Sequence, residues 1–425
     1  MTLFSSLAHE WAFQRRDRSL TLWLFLVLVL ASLAVAGGIS EVEHQRASIE
    51  RLLEGDREDR IEALSQQSDW GGAAYYAFHL TYDSPSDFAF AALGRRDEDP
   101  WKHRIRMLAL EGQIYEHDAG NPELALTGRF DFSFFAAFVL PLVLAVLLHD
   151  LYAGDRAAGR HALLVATSGR SSAPWRRRAV LRVLAVFLAA LLPLVVGGVI
   201  SATAPVKLGL ATLLLFVYTA LWGLICYGAA RWRASSPVIL SSLLGLWLVL
   251  AVVLPGAGKL AVDRLVEAPS GADILLTQRE TVNDAWDVPT EVTMDAFVER
   301  HPQWAAHAEI EGAFEWKWYY AFQQVGDQKT EALSDAYRSA RRTRDRLAGR
   351  FALLSPPALF ERSMQRLAET DLRASLAYEQ RIRDFHSRLR EFYYARMFPD
   401  RPFDAEGLAG LPQYPGGEKR DARDG

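Results

Sequence analysis

The chain alternates long apolar runs with strongly charged segments. A helix needs about 17–25 apolar residues to cross the core of a bilayer. Five runs of that length carry no charged residue, namely Leu20–Ile39, Phe132–Leu148, Val183–Ile200, Leu208–Ala230 and Val238–Leu254. Buried helices of a large soluble protein are the alternative, but these are usually shorter and carry scattered polar residues. The pattern therefore predicts an all-α membrane protein with five transmembrane helices.

The charges that flank these runs predict the orientation of the chain. Basic residues are concentrated before the first run, between the second and third, and between the fourth and fifth: Arg15, Arg16, Arg18, Arg156, Arg160, Arg170, Arg176, Arg177, Arg178, Arg182, Arg231 and Arg233. The turn between the third and fourth runs holds only Lys207. Because cytoplasmic flanks are enriched in Lys and Arg, we expect residues 1–19, 149–182 and 231–237 to be cytoplasmic.

The same rule places residues 40–130 and 257–425 outside the cytoplasm, with membrane helices at 20–39, 131–148 and, for the third to fifth, 183–256. The N-terminus would be inside and the C-terminus outside, in a bacterial cytoplasmic (inner) membrane. Ala34-Val35-Ala36 resembles a signal-peptidase site. We expect an uncleaved anchor, because the basic region before the run is long and the run has full spanning length.

Two segments outside the membrane are predicted to form one mainly helical domain. Residues 41–129 contain 18 acidic and 10 basic residues, and apolar positions from Val42 to Leu64 follow one helical face. The first membrane helix should therefore continue outward. In the second segment, Thr330–Leu354 and Pro357–Met397 have the spacing of two long amphipathic helices. We expect these two insertions to pack together.

Motifs for catalysis, nucleotide binding and metal binding are absent from the sequence. It contains no G-x-x-x-x-G-K-[ST] loop and no H-E-x-x-H, and Ser168 lacks the glycines of a nucleophile elbow. His301 and His307 are six residues apart, His103 and His117 are isolated, and Cys226 is the single cysteine. The net charge of −4 does not indicate a nucleic-acid-binding protein, since such proteins usually carry a net positive charge. We expect no enzyme activity, no cofactor and no metal in this chain.

Two further patterns narrow the function. No ionisable residue lies in the middle of an apolar run, which argues against a proton- or sodium-coupled transporter. The stretch "FEWKWYYAF", residues 314–322, could be a ligand platform, although a core helix face or an interfacial aromatic belt is the preferred interpretation.

The basic loop between the second and third runs is longer than a topology signal requires. Its sequence "DRAAGRHALLVATSGR", residues 155–170, resembles the loop of type-2 ATP-binding-cassette (ABC-2) permeases. Gly159 takes the place of the family's glycine, Leu163 and Leu164 fall in its apolar strip, and Ser168 and Arg170 lie near its S-R pair. Asp155 stands for the usual Glu and Arg160 for Thr, and no proline precedes Ser168.

The layout of the chain resembles the permeases that carry the domain of unknown function 3526. A first span, a large outside insertion and a cluster of further spans are shared. The stretch that begins "LLSPPALFERSMQRLAETD" resembles the outside segment of that subfamily. Such permeases usually have six spans and this chain has five, so either the chain ends outside or a partner subunit completes a six-helix bundle.

The resemblance implies that this chain is the permease subunit of an ABC transporter, either an exporter or a mechanically coupled envelope complex. A separate cytoplasmic ATPase would hydrolyse ATP, and a second permease subunit, identical or paralogous, would complete the assembly in membrane lipid. The resemblance places ATPase coupling at Asp150, Asp155, Arg156, Gly159 and Arg160. A membrane-anchored sensor or assembly scaffold without transport is the main alternative, and a membrane-bound hydrolase is a weaker one.

Overall fold

The computed structural model of the protein describes residues 14, 17–116, 130–168, 172–404 and 406–416. His117 and Arg170 lie outside these described residues. The described chain is overwhelmingly helical, as the sequence predicts.

Five helices are long and apolar enough to cross a membrane, which confirms the predicted number. They are α1 (Arg18–Ser65), α4 (Phe132–Ala157), α6 (Ala173–Ile200), α7 (Pro205–Ala230) and α8 (Ser236–Leu265), and we call their apolar parts the bundle. α4 is its central helix, with 67% of its most apolar window buried against 17% for α8. With 48 residues, α1 is about 70 Å long and projects beyond the bundle. The predicted continuation of the first membrane helix beyond its apolar run is confirmed.

Two of these helices contain a π-helical turn, at Phe135–Val139 in α4 and at Val249–Val253 in α8. A π-turn interrupts the regular backbone ladder and leaves carbonyl oxygens that need other donors. In α4 the Tyr218 hydroxyl donates to the Ala137 carbonyl at 2.5 Å, and the Trp247 indole donates to the Phe138 carbonyl at 3.1 Å. Side chains of the neighbouring α7 and α8 therefore satisfy the interruption in α4.

The remaining elements form a second unit next to the bundle, which we call the polar domain. Its helices are α2 (Trp70–Tyr76), α3 (Glu111–Tyr115), α9 (Gly271–Asp284), α10 (Thr290–Arg300), α11 (Trp316–Ala352), α12 (Pro356–Leu367) and α13 (Leu372–Met397). A short helix, α5 (His161–Ser168), lies in the basic loop. Two short antiparallel strands, β1 (His79–Tyr82) and β2 (Lys102–Ile105), pair with His79 opposite Ile105.

Ion pairs and backbone contacts join the two insertions, as expected. Arg383 of α13 forms a bidentate pair with Glu111 of α3 at 2.7 and 2.8 Å. Asp327 of α11 accepts hydrogen bonds from the backbone N–H groups of Leu110 and Glu111. The first insertion thus supplies part of the same core as the second, so the polar domain is one unit.

The prediction of a single helix over Pro357–Met397 is wrong. The chain forms α12 and α13, which are separated by residues 368–371. Glu369 has a positive φ of 56°. The Thr370 hydroxyl donates to the Ala92 carbonyl at 2.8 Å, and the Asp371 carboxylate caps α13 at the N–H of Ala374. These polar contacts stop one helix and start the next despite a continuous apolar spacing.

The aromatic stretch 314–322 begins α11, which starts earlier than the predicted Thr330. Trp318, Tyr320 and Phe322 are buried in the core of the polar domain. The preferred interpretation, a helix face packed in the core, is therefore confirmed for these three side chains.

The basic loop and the polar domain lie at opposite ends of the bundle. At one end, Arg182 near the start of α6 donates to the Leu147 carbonyl of α4 at 2.6 Å and pairs with Asp17 before α1 at 3.3 Å. Beyond the other end of α6, the Thr203 hydroxyl donates to the carbonyl of Asp87 in the polar domain. Helix α6 thus runs from the basic-loop end of the bundle to the end that contacts the polar domain.

Candidate functional site

The described part of the basic loop, residues 149–168 and 172, is folded around the carboxylate of Asp155. Asp155 is only 4% exposed. Arg160 donates to its Oδ1 atom at 3.0 Å, and both the Trp175 indole (3.0 Å) and Arg178 (3.1 Å) donate to its Oδ2 atom. A buried carboxylate is tolerated only when it is paired and hydrogen-bonded. This cluster satisfies both oxygens.

Aromatic rings form the inner layer of this loop. The Trp175 side chain is fully buried at the start of α6 and stacks on Tyr152 and on His161, each with ring centres 4.7 Å apart. The Tyr152 hydroxyl lies 3.0 Å from that of Tyr227 in α7. The end of α4, the short helix α5, α6 and α7 are therefore held together at one point.

The tip of the loop depends on a left-handed residue. Gly159 has a φ of +68°, a conformation that glycine adopts without the cost that a Cβ imposes. It lets the chain reverse, so that the Arg160 N–H donates to the Asp155 carbonyl at 2.9 Å. No other atom would lie within 4 Å of a Cβ at position 159, so the backbone conformation alone favours glycine there.

The five residues expected at the ATPase contact occupy different environments. Asp150, Gly159 and Arg160 are exposed. Arg156 is half-buried and donates to the Trp232 carbonyl at 2.7 Å, which links the loop to the turn between α7 and α8. Asp155 is buried and fully engaged within the chain, so it positions its neighbours and does not present its carboxylate at the surface.

Sequence reasoning missed the residues that organise this loop, namely Tyr152, His161, Trp175 and Arg178. Trp175 gave a signal, since it is a tryptophan set directly before three arginines in a hydrophilic stretch. Its pairing with Asp155, 20 positions earlier, depends on the reversal at Gly159 and could not be read from spacing.

At the opposite end of the bundle, a segment of the polar domain inserts between α1 and α6. Residues Phe88 to Leu93 are buried among the bundle side chains. Phe90 passes over two glycines: a Cβ at Gly38 would come 2.0 Å from the Phe90 carbonyl oxygen, and one at Gly197 would come 2.6 Å from its ring. Small residues at both positions are therefore required for this close approach.

Helix α12 is the second part of this junction. Its N-cap residue Ser355 donates to the Leu250 carbonyl, within the π-turn of α8, at 2.7 Å, and accepts from the N–H of Ala358. Phe360 stacks on Tyr218 of α7 with ring centres 4.6 Å apart. α12 therefore joins the polar domain to two membrane-length helices.

A three-residue salt-bridge cluster and two further carboxyl groups complete the junction. Lys207, before the apolar run of α7, pairs with Asp87 at 2.8 Å and with Glu369 at 2.7 Å. Asp131 is buried and caps the start of α4 by accepting from the N–H of Phe134 at 2.8 Å. Burial, with a contribution from the charge of Asp131, raises the pKa of Glu361 in α12 to about 7. The junction thus contains a carboxyl group whose pKa is raised towards neutral pH.

The described residues contain no group of three or more His, Cys, Asp or Glu side chains arranged to hold a metal ion. His301 and His307 lie at the two ends of a short 3-10 turn and do not form a shared site.

Comparison with known proteins gives one match. No curated protein and no solved structure matches the chain significantly. Residues 273–415 match the family described as Domain of unknown function (DUF3526). This segment runs from within α9 through α10, α11, α12 and α13 and covers roughly a third of the chain. The match confirms the resemblance to that family over most of the second insertion.

Proposed function

We propose that this protein is the permease subunit of an ATP-binding-cassette transporter, with ATP hydrolysed by a separate cytoplasmic ATPase. The observation that carries the proposal is the folded basic loop. A loop that served only as a topology signal would need arginines at the helix ends. It would have no use for a buried carboxylate with three side-chain donors and a fully buried tryptophan.

The tip of the loop has the properties of a docking element. The exposed residues 157–160 follow the buried Asp155 and the half-buried Arg156, so a rigid base supports a surface that a partner can reach. The exposed Asp150 and Arg160 supply charges of both signs in this loop. In the proposal, Asp150, Gly159 and Arg160 contact the ATPase, whereas Asp155 and Arg156 hold the contact surface in place.

Helix α6 is the proposed route by which movement of the loop reaches the polar domain. It begins beside Trp175 and Arg178 in the loop cluster and ends near Gly197, against Phe90 of the inserted segment. A rigid helix packed at both ends can carry a displacement between them. Closure of an ATPase pair at the loop would thus move the segment Phe88–Leu93 and helix α12.

The remaining parts of the assembly follow from the same proposal. The apolar side chains on the outside of the bundle face membrane lipid or a second permease subunit, for example Leu192, Val196, Leu213, Val217 and Leu224. Two permease subunits, identical or paralogous, with two ATPases would form a closed two-fold complex. The loop would lie in the bacterial cytoplasm and the polar domain outside, so the complex would export a substrate or do mechanical work in the envelope.

Co-purification tests this proposal. The tagged protein is extracted from its native membrane in detergent, and co-purifying proteins are identified by mass spectrometry and assayed for ATP hydrolysis. We expect a P-loop ATPase whose activity in the complex falls with Arg160→Ala. Arg18→Ala is the matched control, because Arg18 is an exposed arginine at the same end of the bundle outside the loop.

Purification without any ATPase would contradict the permease assignment. The alternative, a membrane-anchored sensor or assembly scaffold without transport, would then account for the large polar domain, and the basic loop would serve only orientation.

A further inference from the structure

The polar domain contains a cavity that the permease proposal does not use. It measures about 370 Å³ and lies between α11 and α13, close to the end of α10. This volume is near the lower end of small-molecule pockets, which range from about 300 to 1,000 Å³. Most of its lining residues are polar or charged, and they include Arg300, Asp327, Arg338, Arg383, Arg390 and Tyr394.

Buried polar atoms without a hydrogen-bond partner are concentrated at this cavity. Of the eighteen such side-chain atoms in the described residues, seven belong to residues that line it. They are His301 Nε2, Gln324 Oε1, Gln328 Nε2, Arg338 Nη1, Arg383 Nη1, Arg390 Nε and the Tyr394 hydroxyl. Buried polar groups in folded proteins almost always have partners. Their concentration in residues that line one cavity points to a bound molecule there.

The guanidinium groups are held in place by carboxylates inside the domain. Arg383 pairs with Glu111 through two of its nitrogens, and Arg390 donates to Asp327 at 2.6 Å. Arg390 keeps its Nε–H without a hydrogen bond, and the Nη1 atom of Arg383 lies 3.7 Å from Glu379 Oε2, beyond hydrogen-bond distance. The arginine donors are therefore oriented before any ligand arrives, which reduces the entropy lost on binding.

The chemistry of these atoms determines what the ligand must offer. A guanidinium group only donates, so a molecule that satisfies Arg338, Arg383 and Arg390 must present acceptors. Tyr394 is 2% exposed, and burial raises its pKa to about 12, so its hydroxyl stays protonated and can donate as well. Carboxylate and phosphate oxygens are the acceptors that arginine binds best.

We propose that this cavity binds a small ligand bearing an oxyanion, a carboxylate or a phosphate group, through Arg338, Arg383, Arg390 and Tyr394. The four lining arginines are matched by Glu111, Asp327, Glu331 and Glu391. The lining therefore carries no net charge from these groups, so the preference for an oxyanion rests on the oriented donors, and a highly charged polymer is not favoured. The cavity belongs mostly to the segment that matches the DUF3526 family. The proposal does not depend on the permease assignment.

Calorimetric titration of the full-length protein in detergent tests the site. The probes are inorganic phosphate and citrate, with glycerol as a neutral acceptor and potassium chloride at matched ionic strength. We expect saturable binding of at least one oxyanion and none of glycerol or chloride. The stronger of the two oxyanions identifies the ligand as phosphate-bearing or carboxylate-bearing.

Two tyrosine variants assign the binding to this cavity. Tyr394→Phe removes only the hydroxyl and should weaken binding of the oxyanion roughly five- to tenfold. Tyr393→Phe is the matched control, because Tyr393 is equally buried and its hydroxyl is also unpartnered, but it does not line the cavity. Its affinity should equal that of the wild type.

Three results would overturn the proposal. The first is no binding of either oxyanion up to about 10 mM, which would mean that water alone supplies the polar atoms. The second is equal binding of glycerol. The third is an unchanged affinity in Tyr394→Phe, which would place the oxyanion elsewhere on the protein.

Discussion

The Trp175 indole donates a 3.0 Å hydrogen bond to the buried carboxylate of Asp155 across the basic loop. This bond joins the first turn of α6, which contains Trp175, to the last turn of α4, which contains Asp155. The loop is thereby a fixed extension of two bundle helices. The stability of the loop should depend far more on Asp155 than on Asp150, the exposed acidic residue in the same loop.

Replacement of Asp155 should loosen the loop while the rest of the protein stays folded. In Asp155→Asn, the amide cannot accept from three donors as the carboxylate does, and a buried hydrogen bond to a charged group contributes about 1.5–3 kcal/mol. Trypsin should then cut the loop at Arg156 or Arg160 several times faster. Asp150→Asn, an exposed change in the same loop, should leave the cleavage rate unchanged; equal acceleration in both variants would contradict the role given to Asp155.

Substitution of Gly159 tests the reversal at the loop tip. Because a Cβ at this position meets no atom within 4 Å, Gly159→Ala should cost only the backbone penalty of a positive φ, about 1–2 kcal/mol. Gly159→Asn should cost less, since asparagine tolerates this conformation, and Gly159→Val should cost more. Amide hydrogen exchange of residues 153–166 would rank the three variants by the stability of the loop. A valine variant as stable as the wild type would show that the tip does not need a positive φ at position 159.

Ser355 should stabilise the junction between the polar domain and the bundle. Ser355→Ala removes both an N-cap, which contributes about 0.5–2 kcal/mol, and the donor to the Leu250 carbonyl. Ser363→Ala in the same helix is the control, because the hydroxyl of Ser363 donates only to the Leu359 carbonyl of its own helix. Thermal unfolding in detergent should show a clear loss for Ser355→Ala and a change below about 0.5 kcal/mol for the control.

The sequence predicted five membrane-length helices, the continuation of α1 beyond its apolar run and a mainly helical polar domain. Those features depend on local apolar spacing, which persists over many residues. The break at Glu369 was missed because it depends on a bond from Thr370 to Ala92, nearly three hundred positions away. The apolar periodicity through α12 and α13 does not indicate that contact.

The site could be predicted only in part for the same reason. Asp155 and Gly159 were singled out through a family resemblance, but the burial of Asp155 follows from Trp175 and Arg178 in the next helix. The polar cavity is assembled from Glu111, Asp327 and Arg390, which lie in three separate helices or their ends. Single charged residues so far apart in the sequence cannot be distinguished from ordinary surface residues.

Acidity near neutral pH should strengthen the junction at α12. The pKa of Glu361 rises from its ordinary value of 4.5 to about 7 in the folded protein, chiefly because of burial. The folded state therefore binds the proton more tightly than the unfolded chain, and the free energy of unfolding should decrease as pH rises from about 4.5 to 7.

Glu361→Gln should remove that part of the pH dependence. Glutamine cannot ionise, so the variant should be more stable than the wild type at pH 8, by about 1–3 kcal/mol, and close to it at pH 4.5. Melting curves recorded across this range would measure the difference. A wild type and a variant with parallel pH profiles would show that Glu361 is not a buried titrating group.

The most direct test of the permease account is a cross-link from the tip of the basic loop in intact membranes. Ala158, which is exposed between Asp155 and Gly159, is replaced by the photoreactive p-benzoylphenylalanine, with the exposed Tyr76 of the polar domain replaced in the same way as a control. The account predicts that position 158 captures a P-loop ATPase on illumination and that position 76 does not. Failure of position 158 to capture any ATPase, in membranes where the protein is folded and the ATPases are present, would contradict it.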